Sequence, residues 1–138
     1  MTQPASFHRE ILAPEECVAL LGAAPIARVL ISVRCLPGAL PVFLHVAPGR
    51  VMLASVEDAV IEAARRGDVL GVQLDGAEND GSIWSVQVTG SSRLGEVASL
   101  PAAGKSDRLL EAIEGGATMV EIPMTVIHGE RIQWSSPV

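Results

Sequence analysis

Several residue types are scarce or missing in this chain, and each gap removes a class of function. Tyrosine is absent and aromatic residues make up only 3% of the sequence. Stacking platforms for single-stranded nucleic acid, which need aromatic faces, are therefore excluded. Of ten basic residues only Lys105 is a lysine, against sixteen acidic ones, for a net charge of −6. No basic cluster offers a face for neutralising phosphates, so no nucleic-acid partner is expected. The "ARR" at 64–66 reads instead as the last turn of a helix, where cations oppose the negative end of the dipole. Only Cys17 and Cys35 are present. They form no C-x-x-C pair and supply no metal pattern, so two free thiols in a reducing compartment are expected, and no metal. No apolar run approaches the roughly 18 residues needed to cross a bilayer, so no membrane partner is expected. The opening "MTQPASFHRE" lacks the basic-then-apolar build of a signal peptide, which points to the cytoplasm.

Catalytic signatures are missing as well. There is no G-x-S-x-G elbow, no H-E-x-x-H helix, no Walker loop and no G-x-G-x-x-G. The three histidines are scattered: His45 lies in an apolar strand, and His128 reads as part of a turn beside Gly129. A structural role is the commoner one for such residues. The acidic pairs Glu15–Glu16 and Glu57–Asp58 fall in helix first turns, where they complement the dipole. No catalytic residue is picked out by pattern.

What is present is a core. With 138 residues and 49% hydrophobic content, the chain is long enough for one domain, spanning 1–138, and too apolar to be disordered. "APEECVALLGAAP" reads as a short helix, with Pro14 at its first position and Gly22 as its stop. "IARVLISV" (26–33), "LPVFLHV" (40–46) and "VMLA" (51–54) read as strands, separated by Pro37–Gly38 and Pro48–Gly49 turns. A helix from about 56 to 66 follows. Ser55 and Asp58 form its capping box, and Val56, Val60, Ala63 and Ala64 form its buried stripe. Strands are expected at 69–75, 82–97 and 117–127, and a last one in "HGERIQW". A third helix spans 106–116, capped by Ser106, with Leu109, Leu110 and Ile113 turned inward. A strand-rich chain with about three short helices points to an antiparallel barrel, not a parallel α/β sheet.

The order "ARVLISV", "LPVFLHV", "GRVMLAS", helix, "RGDVLGVQLDG", "WSVQVTGSSRLGEV" and "VEIPMTVIHGERI" carries a further signal. It resembles the FMN-binding split-barrel family, the pyridoxamine-5'-phosphate-oxidase-like group that also holds deazaflavin-dependent relatives. The likeness runs from Glu10 to Trp134. It implies a six-stranded antiparallel Greek-key split barrel with flanking helices, paired as a homodimer, with a small-molecule ligand in the cleft between subunits. The implied cofactor is FMN, with deazaflavin or no cofactor as alternatives, and the implied chemistry is that of a flavin-family oxidoreductase. By the resemblance the flavin ring lies along Leu40, Pro41, Val42 and Phe43. The phosphate sits near Ala54, Ser55, Ala59 and Val60, and the partner chain contributes Trp84 and Ser85.

The phosphate turn departs from the family pattern. In an ungapped register the family's strand arginine falls on Ala54, its hydroxyl on Ala59, its lysine on Val60 and its glycine on Asp58. Two cations are replaced by apolar side chains, and two carboxylates have entered. Each charge-assisted bond to phosphate contributes roughly 1.5–3 kcal/mol, so losing two costs about 3–6 kcal/mol. That is two to four decades of affinity. Arg28, Arg34, Arg50 or a partner's arginine would have to replace the missing cations. Otherwise the expectation is weakened or lost FMN binding, the alternative being a non-catalytic dimer that binds another apolar ligand or acts as an interaction module. In this register, Asp58→Gly with Ala59→Ser and Val60→Lys is expected to raise FMN affinity at least about tenfold.

Overall fold

The computed structural model describes residues 6–23, 26–100 and 107–135, without the side chain of residue 99. Its elements in chain order are β1 (Ser6–Ile11), α1 (Pro14–Ala23), β2 (Ile26–Val33), β3 (Leu36–Ala47) and β4 (Arg50–Ser55). Then come α2 (Asp58–Arg66), β5 (Val69–Ala77), β6 (Ile83–Ser91) and β7 (Arg93–Leu94). The last three are α3 (Asp107–Glu114), β8 (Thr118–Pro123) and β9 (Val126–Ser135).

All strand pairs are antiparallel, in the order β1-β9-β6-β5-β2-β3-β4-β8-β7. Only Ser92 separates β6 from β7, and β7 pairs with β8. The pairings therefore return on themselves. Counting β6–β7 as one bent strand, six strands close the ring, while β9 and β1 extend from β6 as a side branch. A barrel with flanking helices was expected from the strand count; nine separate strands instead of six or seven were not. The bend depends on a close approach, since a Cβ on Gly90 would stand 2.2 Å from the Pro123 carbonyl oxygen. No side chain fits there.

Alternation explains the core. Val29, Val42, Val51, Leu53, Val72, Val86, Val88, Val120 and Ile122 point into the barrel with Val60 and Ala63 of α2. β4 reads as a nearly continuous apolar run because both its faces are covered. Its other face, Met52 and Ala54, meets Leu109 of α3 together with Leu100 and Met119.

Several boundaries differ from the sequence expectation. The β2–β3 turn is Arg34–Cys35, not Pro37–Gly38, and both turn residues have positive φ (53° and 63°). Val33 pairs with Leu36, so Pro37 lies inside β3 opposite Ser32. In a two-residue hairpin the closing pair is the hydrogen-bonded one, so the nitrogen of Pro37 faces away from β2 and no ladder bond is lost. The second turn, Pro48–Gly49, is as expected, with Gly49 at φ 75°. β1 was not anticipated; it pairs along its whole length with β9, where Phe7 meets Trp134 edge to face. The expected strand 117–127 is broken at Met124–Thr125 into β8 and β9. His128 and Gly129 therefore lie inside β9 and pair with β6, not in a turn. A Cβ on Gly129 would meet the Cys17 sulfur at 2.5 Å, so this glycine admits α1 against the sheet. α2 begins at Asp58 with Glu57 as N-cap, which leaves Val56 outside the helix and 71% exposed. Gly67 ends it at φ 76°, as expected. The proposed cap Ser106 lies outside the described residues.

Candidate functional site

β3 is longer than its neighbours. Residues 36–43 pair with β2, whereas pairing with β4 covers only Leu44 to Ala47. The first half of β3 therefore has one open edge among the described residues. Two-residue alternation turns the backbone groups of Pro37, Ala39 and Pro41 toward that edge. Beside it lies a cavity of about 450 Å³, lined by Leu40, Pro41, Val42, Phe43, Ile26, Ala54, Ser55, Val56, Glu57, Ala112 and Ala117. That volume lies within the usual range for small-molecule sites. The walls are apolar apart from the Ser55 hydroxyl and the Glu57 carboxylate.

The fold thus brings six of the ten residues singled out from sequence around one space: Leu40, Pro41, Val42, Phe43, Ala54 and Ser55. The other four lie elsewhere. Val60 is fully buried inside the barrel. Ala59 is on the outside of α2 and faces a different, larger groove toward the Arg34 turn. Trp84 is packed in the core, its ring lying over Gly76, where a Cβ would stand 2.6 Å from it. Ser85 accepts a hydrogen bond from Gln73 Nε2 at 3.1 Å on the outer face of the β5–β6 pair.

Ser55 is not the N-cap that the capping-box pattern suggested. Its hydroxyl accepts the N–H of Glu57 at 3.1 Å, one residue short of the helix, and Glu57 makes no side-chain cap. The N–H groups of Val60 and Ile61 both turn to the Glu57 carbonyl. A helix start of this kind offers N–H donors to an anion. Here the two side chains leading into it, Glu57 and Asp58, are both acidic and exposed. The buried position of Val60 also changes the proposed restoration. A lysine there would point into the barrel, not at the cavity.

Three arginines were candidates to replace the lost cations. Arg50 is engaged at the opposite end of β4 from Ala54 and Ser55, with its Nε 3.6 Å from Glu121, a buried carboxylate that also binds Arg93 at 2.8 Å. Arg28 lies opposite Pro41 in the β2–β3 register. Arg34 sits in the turn that opens β3. A further cation beside the ring strand is one that the sequence did not single out. Arg108 of α3 stands 5.7 Å from the centroid of the Phe43 ring, a cation–π distance. It lies one helical turn before Ala112, which lines the cavity. That i, i+4 spacing was the available signal, but which strand α3 would cover is not legible from the helix alone.

No protein-family model matches the sequence, and no curated protein matches it. Solved structures match well along nearly the whole chain. The FAD-binding protein of Mycobacterium smegmatis is 20% identical with a TM-score of 0.65; the match covers 90% of this chain and 98% of that one. A FAD-binding protein of Mesorhizobium loti is 17% identical with a TM-score of 0.72, covering 93% and 99%. A candidate pyridoxamine 5'-phosphate oxidase of Corynebacterium glutamicum is 18% identical with a TM-score of 0.65, covering 90% and 98%. The fold is the pyridoxamine-phosphate-oxidase-like split barrel. Within this split barrel the cavity beside β3 is the candidate site. No helix among the described residues is long and apolar enough to cross a membrane. No group of three histidine, cysteine or acidic side chains among them is placed to hold a metal.

Proposed function

We propose that this chain is a flavin-family split-barrel protein, related to oxidoreductases and paired as a homodimer, whose cavity receives the flavin ring but holds the phosphate of FMN weakly. Two features support the ring half of this reading: apolar walls of suitable volume, and an open backbone edge on β3 where Pro37, Ala39 and Pro41 offer carbonyls and Ala39 an N–H for a polar ring margin. A bound flavin would supply the hydride chemistry, and the protein would supply position and electrostatics around it.

The observation that carries the phosphate half is the β4–α2 junction. Glu57 is the charged side chain in the cavity wall, and no cation lines it among the described residues. A unit charge pair at 4 Å is worth about 1 kcal/mol in bulk water, and a phosphate carries about −1.5 to −2. Glu57→Lys swings the local charge by two units, worth roughly 3–4 kcal/mol before screening and side-chain entropy cut it to about 1.4 kcal/mol, or tenfold. The test is quenching of flavin fluorescence on titration. Wild-type protein is expected to hold FMN more weakly than micromolar, and Glu57→Lys to gain about tenfold for FMN with riboflavin unchanged. Complete indifference to both flavins at millimolar concentration would sink the flavin reading.

One observation favours a second reading. The described cavity walls contain no histidine, cysteine, lysine or tyrosine, and the exposed Glu57 carboxylate is the one ordinary acid–base group among them. A non-catalytic dimer that binds another apolar ligand in this cavity accommodates that composition.

A further inference from the structure

The arginines of this protein divide into two groups. Arg9, Arg50, Arg65, Arg66, Arg93 and Arg131 each lie within ion-pair distance of a carboxylate. Arg131 alone gathers Glu10, Glu16 and Glu78. Arg28, Arg34 and Arg108 have no carboxylate partner among the described residues. In a chain with sixteen acidic and ten basic residues, that is not for want of partners. All three also lie along one element. Arg28 is cross-strand to Pro41, Arg34 is in the turn that opens β3, and Arg108 stands over Phe43.

Two of them bracket the cavity. Ile26, Arg28, Pro41 and Phe43 share the outward face of the β2–β3 pair, because Ala27, Val29 and Val42 between them are turned into the core. Pro41 and Phe43 are two residues apart, which is about 7 Å along a strand. Arg28 borders a smaller hollow that shares Ile26 and Pro41 with the cavity, and Arg108 caps its Phe43 side. The nearest carboxylate in that hollow, Asp75, is bonded to Gln73 Nε2 at 3.0 Å. The opposite end of the cavity carries Glu57. The surroundings of the cavity are therefore polarised, with cations just outside its lining on the β2 and α3 sides and an anion in its wall at the β4–α2 junction.

We propose that the ligand of this cavity is a planar aromatic molecule bearing an acidic group, with the ring against Leu40–Phe43 and the charge held by Arg28 and Arg108. The assignment rests on the reading of this cavity as a ring site, and adds that its acidic group turns away from the junction where the family's phosphate would lie. Arg108 exchanges its contact with the Phe43 face for the ligand's anion, so the empty and filled states both satisfy it. An amine-bearing or neutral ring gains nothing from either arginine and is disfavoured.

The test uses two fluorescent probes of similar ring size, the anionic 1-anilinonaphthalene-8-sulfonate and the neutral N-phenyl-1-naphthylamine, with the folded wild-type chain and variants. At low salt the sulfonate is expected to bind about tenfold more tightly than the neutral probe. Arg28→Gln and Arg108→Gln should each remove about threefold of that preference, in line with exposed charge pairs, and the double variant should abolish it. Arg65→Gln, which alters an exposed ion pair on α2, should leave it intact. Equal binding of the two probes by wild type, or a preference that survives the double substitution, overturns the proposal. Titration with riboflavin and FMN separates this outcome from the flavin reading. If both flavins are ignored while the sulfonate preference depends on Arg28 and Arg108, the flavin reading falls and the anion assignment stands. If flavins bind and the preference survives the double variant, the anion assignment falls instead.

Discussion

Val60→Lys is the substitution that the family pattern recommends and the tertiary structure forbids. Val60 is 0% exposed inside the barrel, whereas Val56, four residues earlier, is 71% exposed. A lysine held neutral at pH 7 against a reference pKa near 10.4 costs about 1.36 kcal/mol per unit over roughly 3.4 units, close to 4.6 kcal/mol. Overpacking adds about 1–3 kcal/mol, and any snorkelling of the stem toward α2's outer edge returns part of it. A net loss of at least about 3 kcal/mol is expected, a large share of the 5–15 kcal/mol that holds a domain together. Val56→Lys should change stability by less than about 0.5 kcal/mol. Urea unfolding followed by circular dichroism measures both. Val60→Lys should shift the midpoint far below wild type, while Val56→Lys superimposes on it. If the two variants unfold at the same urea concentration, the face of α2 assigned to the core is wrong. A folded Val60→Lys protein with improved FMN binding would also restore the simple family register.

Two further outcomes test the fold around the site. Gly90→Ala places a Cβ 2.2 Å from the Pro123 carbonyl oxygen, so β6 and β8 must move apart; a loss of about 1–3 kcal/mol is expected in the same urea assay, against little effect for Gly22→Ala, which has open space around it. Hydrogen bonding to Arg9 holds the Glu130 carboxyl below its usual pKa. Its contribution to stability is therefore present above the unfolded carboxylate value and is lost as pH falls through the lower folded value. Glu130→Gln should be less stable than wild type at neutral pH and converge with it as the pH falls through the lowered folded value, measured by urea midpoints across the range.

The relation between Glu57 and the arginines gives the site its character. A mononucleotide seat of the family kind concentrates cations at the β4–α2 junction. Here the junction carries Glu57 and Asp58, and the cations without a carboxylate partner among the described residues lie on β2, in the β2–β3 turn and on α3. The ring strand can keep its backbone edge while the charge pattern around it is inverted. Fold and ligand preference are separable for this reason.

Much of this was legible along the chain. β-Branched alternation marks β2 and β5, Pro48–Gly49 marks a turn that only a positive-φ residue can complete, and Gly67 marks the end of α2. These signals are local, because backbone torsions and two- or 3.6-residue periodicity act over a few neighbours. The single lysine, the absence of tyrosine, and the acids at 57 and 58 are equally plain in the sequence. The tertiary structure decided matters that depend on residues far apart. The Arg34–Cys35 turn displaces the more obvious Pro37–Gly38 because the pairing of β2 with β3 sets the register, and an open edge spares Pro37's missing donor. Val56 lost its place in the buried stripe because packing, not pattern, set the start of α2. Arg108 became a neighbour of Phe43 because α3 folds back over β4, across 65 residues of chain. Periodicity says which face of an element is apolar. What that face meets, and which charges are left without partners, follows only from closing the barrel.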